Sequence, residues 1–189
     1  MPNWCNNNIE IRGPKNKLEK IQKAAKDGKM LNHFHPMPAE LSETTANGTQ
    51  RPELEKKYGF SDWYGWANNN WGTKWDNSEV YGDCELKQDG KEYSLDFAFD
   101  TAWAPPIGAV EKYLEENEDV SIKLWYFEGG MDFMGVYYDG EDEEYTISDV
   151  TDEELESNMK EFEEQFNILE SREMYREELK EQEEEEAHG

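Results

Sequence analysis

From Asn3 to Arg12 every second residue, Cys5, Asn7, Ile9 and Ile11, falls on one side, and Gly13-Pro14 closes the run. Alternation of this kind is the period of a half-buried strand. Leu18, Ile21 and Ala25 then recur at helical spacing, with Pro14 suited to a first turn and Gly28 to a left-handed stop. In LNHFHPMPAEL, Pro36 and Pro38 predict an extended segment that lays Phe34 and Met37 against the core. Residues 42–54 lack apolar periodicity and read as a mobile insertion. Tyr58 to Asn70 predicts a short aromatic helix or irregular segment. TKWDNSEVYG and DCELKQDGKEYSLDFAFDTAW read as strands, the second turning at Gln88-Asp89-Gly90. Tyr93, Leu95, Phe97, Phe99, Thr101 and Trp103 share one face of it by alternation. Pro105-Pro106 opens a helix to about Asn117 with Ile107, Val110 and Leu114 inward. VSIKLWYFEGG and MDFMGVYYDG form a hairpin whose Gly129-Gly130 turn allows positive φ, and EYTIS adds a short edge strand.

The order is strand, helix, strand, strand, helix, strand, with extra strands after it. Such a split β-α-β pattern predicts a ferredoxin-like α+β fold, an antiparallel sheet covered on one face by two helices. Two cysteines fall short of the four that an iron–sulfur cluster usually needs. The predicted domain covers residues 1–150, and residues 151–189 form a long acidic C-terminal helix. Thr151 with Glu154 makes a capping box. Leu155, Met159, Phe162, Phe166 and Leu169 then repeat at steps of four and three, an apolar seam about two heptads long. That is short for a sustained coiled coil, so docking of the seam on its own chain is preferred to dimerisation, and the chain is expected as a monomer or a dimer through this helix. EQEEEEAHG at the end is expected to fray.

Composition changes the picture in one respect. Hydrophobic residues are 35% of the 189 and aromatics 13%, so the core rests on a few large rings. The net charge is −26, and residues 139–189 carry 22 acids against 4 bases. An acidic chain is a poor direct ligand for nucleic acid, whose affinity comes from Lys and Arg releasing counterions. It is suited to a basic protein, or its glutamates act only as solvating tail. Cys5 and Cys84 read as buried free thiols in a reducing compartment. The start MPNWCNNNIE lacks the basic and apolar regions of a leader, and no run of 18 apolar residues occurs. The expected location is the cytoplasm of a bacterial host.

Three motifs occur in order: Met-Pro-Asn-Trp-Cys at the start, Trp71-Gly72-Thr73-Lys74-Trp75-Asp76, and Phe99-Asp100-Thr101-Ala102-Trp103-Ala104-Pro105-Pro106. Together they resemble the YubB-type ferredoxin-like family of uncharacterised phage- and plasmid-encoded proteins. The resemblance covers about residues 1–140 and implies a fold and a mobile-element origin. It implies no reaction, cofactor or catalytic residue, and the helix beyond residue 150 looks like an addition to the common pattern.

Asn3, Trp4, Asn6, Trp71, Lys74, Trp75, Asp76, Asp100 and Trp103 are expected to converge at one end of the sheet. Lys74 with the carboxylates of Asp76 and Asp100 beside indole faces would suit a planar or phosphorylated ligand. The same residues suit a buried polar brace, preferred because no nucleophile–base arrangement accompanies them. His33 and His35 alternate on an extended segment and fall short of a zinc set, so no metal or cofactor is expected. The expected function is a non-enzymatic, DNA-mimic-like inhibitor of the anti-CRISPR or anti-restriction type, which blocks a basic, nucleic-acid-binding site on a host protein such as a defence complex. Its contact residues would be Glu153, Glu154, Glu163, Glu164, Glu177 and Glu178. The alternative is a nucleotide binder or enzyme at the Asn/Trp constellation, and a third is an acidic helix that only solubilises or dimerises the domain.

Overall fold

A computed structural model describes residues 3–187. The chain divides into two compact units, Met1–Glu144 and Tyr145–Gly189, a division six residues before the expected boundary. In chain order the first unit holds β1 (Trp4–Gly13), α1 (Lys15–Lys26), α2 (Met30–Phe34), α3 (Ala39–Ser42), α4 (Pro52–Tyr58) and α5 (Trp63–Asn70). These are followed by β2 (Lys87–Asp89), β3 (Glu92–Ala102), α6 (Ile107–Glu116), β4 (Ser121–Glu128) and β5 (Phe133–Tyr138), and then β6 (Glu141–Thr146) crosses the division.

The sheet order is β2-β3-β1-β4-β5-β6. β1 is central and antiparallel to both neighbours, with Ile9 opposite Phe97 on one side and Leu124 on the other. This register places Ile9, Ile11, Leu95, Phe97, Ile122 and Leu124 on one face. There they form a single core with Leu18, Ile21 and Ala25 of α1 and Ala109, Val110 and Tyr113 of α6. Each such fully buried aliphatic side chain stabilises the fold by about 1.5–3 kcal/mol, so the alternation in β1 and β3 is enough to fix the register. A one-residue slip would turn these side chains to the other face. The result is an α+β, ferredoxin-like sheet-and-helix layer, as the element order predicts.

Five expectations are corrected. LNHFHPMPAEL is not extended at its start: Met30–Phe34 is a helix, because its first free N–H groups find acceptors at Asp76 and Asn77. Phe34 is nevertheless buried and Met37 packs on the core. TKWDNSEVYG is an irregular loop bridged to β3 between Tyr81 and Ala98, since its polar side chains serve the loop's own backbone and α2. Trp103 leaves the buried face of β3: its φ is 75°, which turns the ring outward. In the β4–β5 turn the positive φ belongs to Asp132, not to Gly129 or Gly130. At Gly130 a Cβ would lie 2.8 Å from the Asn3 amide nitrogen, so the Asn3 side chain would have to shift. Residues 52–54, the end of the supposed insertion, belong instead to α4, which is opened by Pro52 and closed by Gly59 with φ 81°.

The second unit is not one rod. It comprises α7 (Asp152–Glu156), α8 (Lys160–Phe166) and α9 (Ile168–Ala187). The break before α9 is at Asn167, with φ 48°, a conformation that Asn adopts more readily than most residues. The capping box of Thr151 and Glu154 forms as the sequence predicts. Leu155 and Phe162 of the seam are buried, as is Ile168, while Met159, Phe166 and Leu169 are half-buried. Helix α9 runs from Ile168 through Ala187. The final His188-Gly189 of EQEEEEAHG, and Met1-Pro2 of the opening motif, lie outside the described residues.

Candidate functional site

The Trp71–Asn77 segment divides its side chains between interior and surface. Trp71 is buried, donates from Nε1 to the His35 carbonyl (2.8 Å) and packs edge-on to Trp66 at 5.5 Å. Thr73 donates to the Ala102 carbonyl (2.8 Å). Asp76 accepts from the backbone N–H groups of Leu31 (2.7 Å), Asn77 (2.9 Å) and Asn32 (3.0 Å), and burial raises its pKa despite these donors. Asn77 accepts from Met30 N–H (2.9 Å) and donates to the carbonyls of Ala25 (3.0 Å) and Ser78 (2.7 Å). These residues are the brace. They hold the loop on α1 and α2 and on the end of β3. Gly108 lets α6 approach as well, because a Cβ there would meet the Asn70 carbonyl at 2.7 Å.

The other residues of the constellation face outward. Trp4, Trp75 and Trp103 are 47%, 38% and 44% exposed. The Trp4 and Trp75 rings lie 6.2 Å apart, and the Lys74 ammonium sits 4.2 Å from the Trp75 ring centroid and 5.7 Å from that of Tyr64. On the sheet beside Trp4, the Asn6 amide donates to Asp100 (2.7 Å), whose second oxygen accepts from the Tyr81 hydroxyl. Asn3 accepts through its carbonyl from Trp103 N–H (3.0 Å). Trp103 at positive φ is strained for a bulky side chain, and its surface ring is the product of that strain. The structure therefore brings Trp4, Asn6, Lys74, Trp75 and Asp100 onto one surface and puts Trp71 and Asp76 into the frame beneath.

Sequence reasoning put Asn7 and Thr101 on the apolar faces of β1 and β3 but missed Glu128 and the polar network at this end of the sheet. Asn7, Thr101 and Glu128 are buried, and Asn7 Nδ2 donates to Thr101 Oγ1 (2.9 Å) and the Cys5 carbonyl (2.9 Å). Glu128 accepts from Gly130 N–H (3.1 Å) through one oxygen, and its Oε2 has no hydrogen-bond partner among the described residues. Burial pushes the Cys5 thiol up to about 12, so it is an unreactive neighbour and not a nucleophile. The signal that would have found Glu128 is its place in the inward register of β4, after Ile122, Leu124 and Tyr126.

In the second unit the predicted acidic residues separate into two sets. Glu154 is consumed by the capping box, Glu163 accepts from Leu169 N–H (2.9 Å) at the start of α9, and Glu164 pairs with Lys160 (3.3 Å). Glu153, Glu177 and Glu178 are exposed, and their side chains make no hydrogen bond or ion pair among the described residues. Arg172 and Arg176 both grip Asp152 (2.7 and 2.8 Å), which lowers its pKa, and Arg172 also donates to the Ile147 carbonyl (2.7 Å). With those cations occupied, α9 shows Glu170, Glu173, Glu177, Glu178 and Glu181 around exposed Met174, Tyr175 and Leu179.

Residues 70–186 match the family described as the ferredoxin-like domain in Api92-like protein. The chain belongs to this family. The match takes in the acidic helices, which the resemblance over residues 1–140 had left outside the common pattern. A crystal structure of a protein api92 from Yersinia pseudotuberculosis is similar at 10% identity, over 77% of this Api92-like chain and 98% of its own, with a TM-score of 0.43. No curated protein matches the chain. Among the described residues of the Api92-like chain no helix is long and apolar enough to cross a membrane.

Proposed function

We propose that the chain is a non-enzymatic interaction protein of phage or mobile-element origin, of the YubB type. In this reading it occupies a basic, nucleic-acid-binding site on a host protein such as a defence complex. The observation that carries this reading is α9: a 20-residue helix whose exposed glutamates flank Tyr175, 62% exposed, and Met174, 58% exposed. Spaced carboxylates steer a cationic groove by long-range attraction, and a central aromatic supplies the buried anchor that most interfaces need. The contact set narrows from the sequence expectation to Glu153, Glu177 and Glu178, joined by Glu170 and Glu173. Glu154, Glu163 and Glu164 serve the unit's own structure. A pull-down from a bacterial host at two ionic strengths tests the reading. Partners should be retained at about 50 mM salt and lost near 500 mM, where screening acts within about 4 Å or less; partners insensitive to salt would refute it.

A second reading is supported by the exposed Trp4–Trp75 pair with Lys74 at 4.2 Å. A planar anionic ligand such as a nucleotide would stack on an indole and pair with the ammonium. Nucleotides should then raise the melting temperature of the wild type and leave Trp75→Ala and Lys74→Ala unmoved. An equal rise in all three would sink it.

A further inference from the structure

The first unit has a cleft that neither reading uses. It is a cavity of about 490 Å³ beside the C-terminal half of α6, closed below by β4 and β5. Its floor is apolar, formed by Val120, Ile122 and Tyr137, all buried, with Leu114 beside them. Its rim carries four carboxylates, Glu111, Glu115, Glu118 and Asp139, and neither Lys nor Arg lines it. Lys112 pairs with Glu115 and with Glu116 at 3.1 Å each. Glu111, Glu118 and Asp139 have no ion pair among the described residues, which leaves three uncompensated negative charges around one hollow.

Carboxylates on a surface do not by themselves make a site, but Tyr137 adds an independent observation. Its side chain is 3% exposed and lines the cavity, and its hydroxyl has no hydrogen-bond partner among the described residues. The hydroxyl is thus left open to a donor that enters the cavity. Burial first, then the charges of Glu111 and Asp139, raise the tyrosine pKa, which keeps it a neutral hydroxyl able to accept.

The form of the cleft selects the ligand. No three acidic, histidine or cysteine side chains among the described residues lie close enough together to hold a metal ion, so the rim charges are spread and not convergent. Spread charges over an apolar floor match a cation with an aliphatic stem, whose ammonium ends reach the rim while its methylenes cover Val120, Ile122 and Leu114. We propose that this cleft binds an alkylammonium cation, with Glu111, Glu118 and Asp139 holding its charged ends and the Tyr137 hydroxyl accepting from one of them. The same chemistry is offered by a free polyamine and by a lysine side chain of a partner. The site lies within residues 111–140 and does not depend on α9.

Calorimetric titration of the full chain at low salt tests it with two probes, spermidine and N-acetyl-lysine methylamide. Saturable one-to-one binding of spermidine identifies a free polyamine, and tighter binding of the lysine analogue identifies a partner's side chain. Glu118→Gln/Asp139→Asn should weaken the bound probe about tenfold, equivalent to about 1.4 kcal/mol, and Tyr137→Phe should weaken it a few-fold with the fold intact by circular dichroism. Glu177→Gln/Glu178→Gln should leave it unchanged. Failure of both probes to bind, or equal losses in the two double variants, would overturn the proposal, since equal losses mean only diffuse attraction to an acidic chain.

Discussion

Asn77 and Glu177 mark two opposite uses of a polar side chain. Asn77 is 6% exposed and makes three hydrogen bonds to backbone groups, one of them to the Met30 N–H, which would otherwise be buried without a partner. Glu177 stands in solvent on α9. The contrast extends to the two units. Residues 1–144 turn Asn7, Thr73, Asp76 and Asn77 inward, where they fix the ends of helices and strands. Residues 145–189 pair their arginines with Asp152 and leave a surplus of glutamates outward. Inward polar groups specify one backbone, and outward charges specify a kind of partner.

This comparison can be broken at its stronger end first. Asn77→Ala leaves Met30 N–H buried and unpaired, while the Ala25 carbonyl keeps its bond from Gly28 N–H (3.1 Å), and should destabilise the protein by about 2 kcal/mol, measured by urea unfolding. A loss under about 1 kcal/mol would mean that water replaces the amide and that the segment is no brace. Asp152→Asn is expected to act less strongly and only in the second unit. The two arginines lower the Asp152 pKa below the ordinary 3.8, so its stabilisation is complete above that value and is lost as pH falls through the lowered native pKa. The variant should lose helical signal at pH 7 and show a flatter acid transition than wild type below pH 3.8; superimposable curves would separate Asp152 from the unit's stability.

Much of the fold was legible because its signals are local. The alternation in β1 and β3, the spacing of Leu18, Ile21 and Ala25, and the pair Thr151 and Glu154 each act within a few residues. The failures share a cause. Met30–Phe34 becomes helical because Asp76 and Asn77, more than 40 positions away, accept from its first N–H groups, and no local window contains that fact. Trp103 looks inward by alternation, yet a positive φ at the strand-to-helix junction turns it out. In the second unit the four-and-three seam was visible, but not the left-handed turn at Asn167 that divides it. Of the site, the residue types at Trp71–Asp76 were legible, and the division between Trp71 and Asp76 within and Lys74 and Trp75 without was not. Pattern gives the period, whereas exposure depends on neighbours brought in by the fold.

The most direct measurement of the account's central claim is the salt dependence of partner capture by Glu177→Lys/Glu178→Lys beside wild type. Reversing two exposed charges should reduce capture at least tenfold at low salt and flatten the dependence, while the unfolding curve stays within about 0.5 kcal/mol, as expected for surface positions. Undiminished capture by the reversed variant, with the same salt response as wild type, would contradict an acidic helix as the surface that meets the partner.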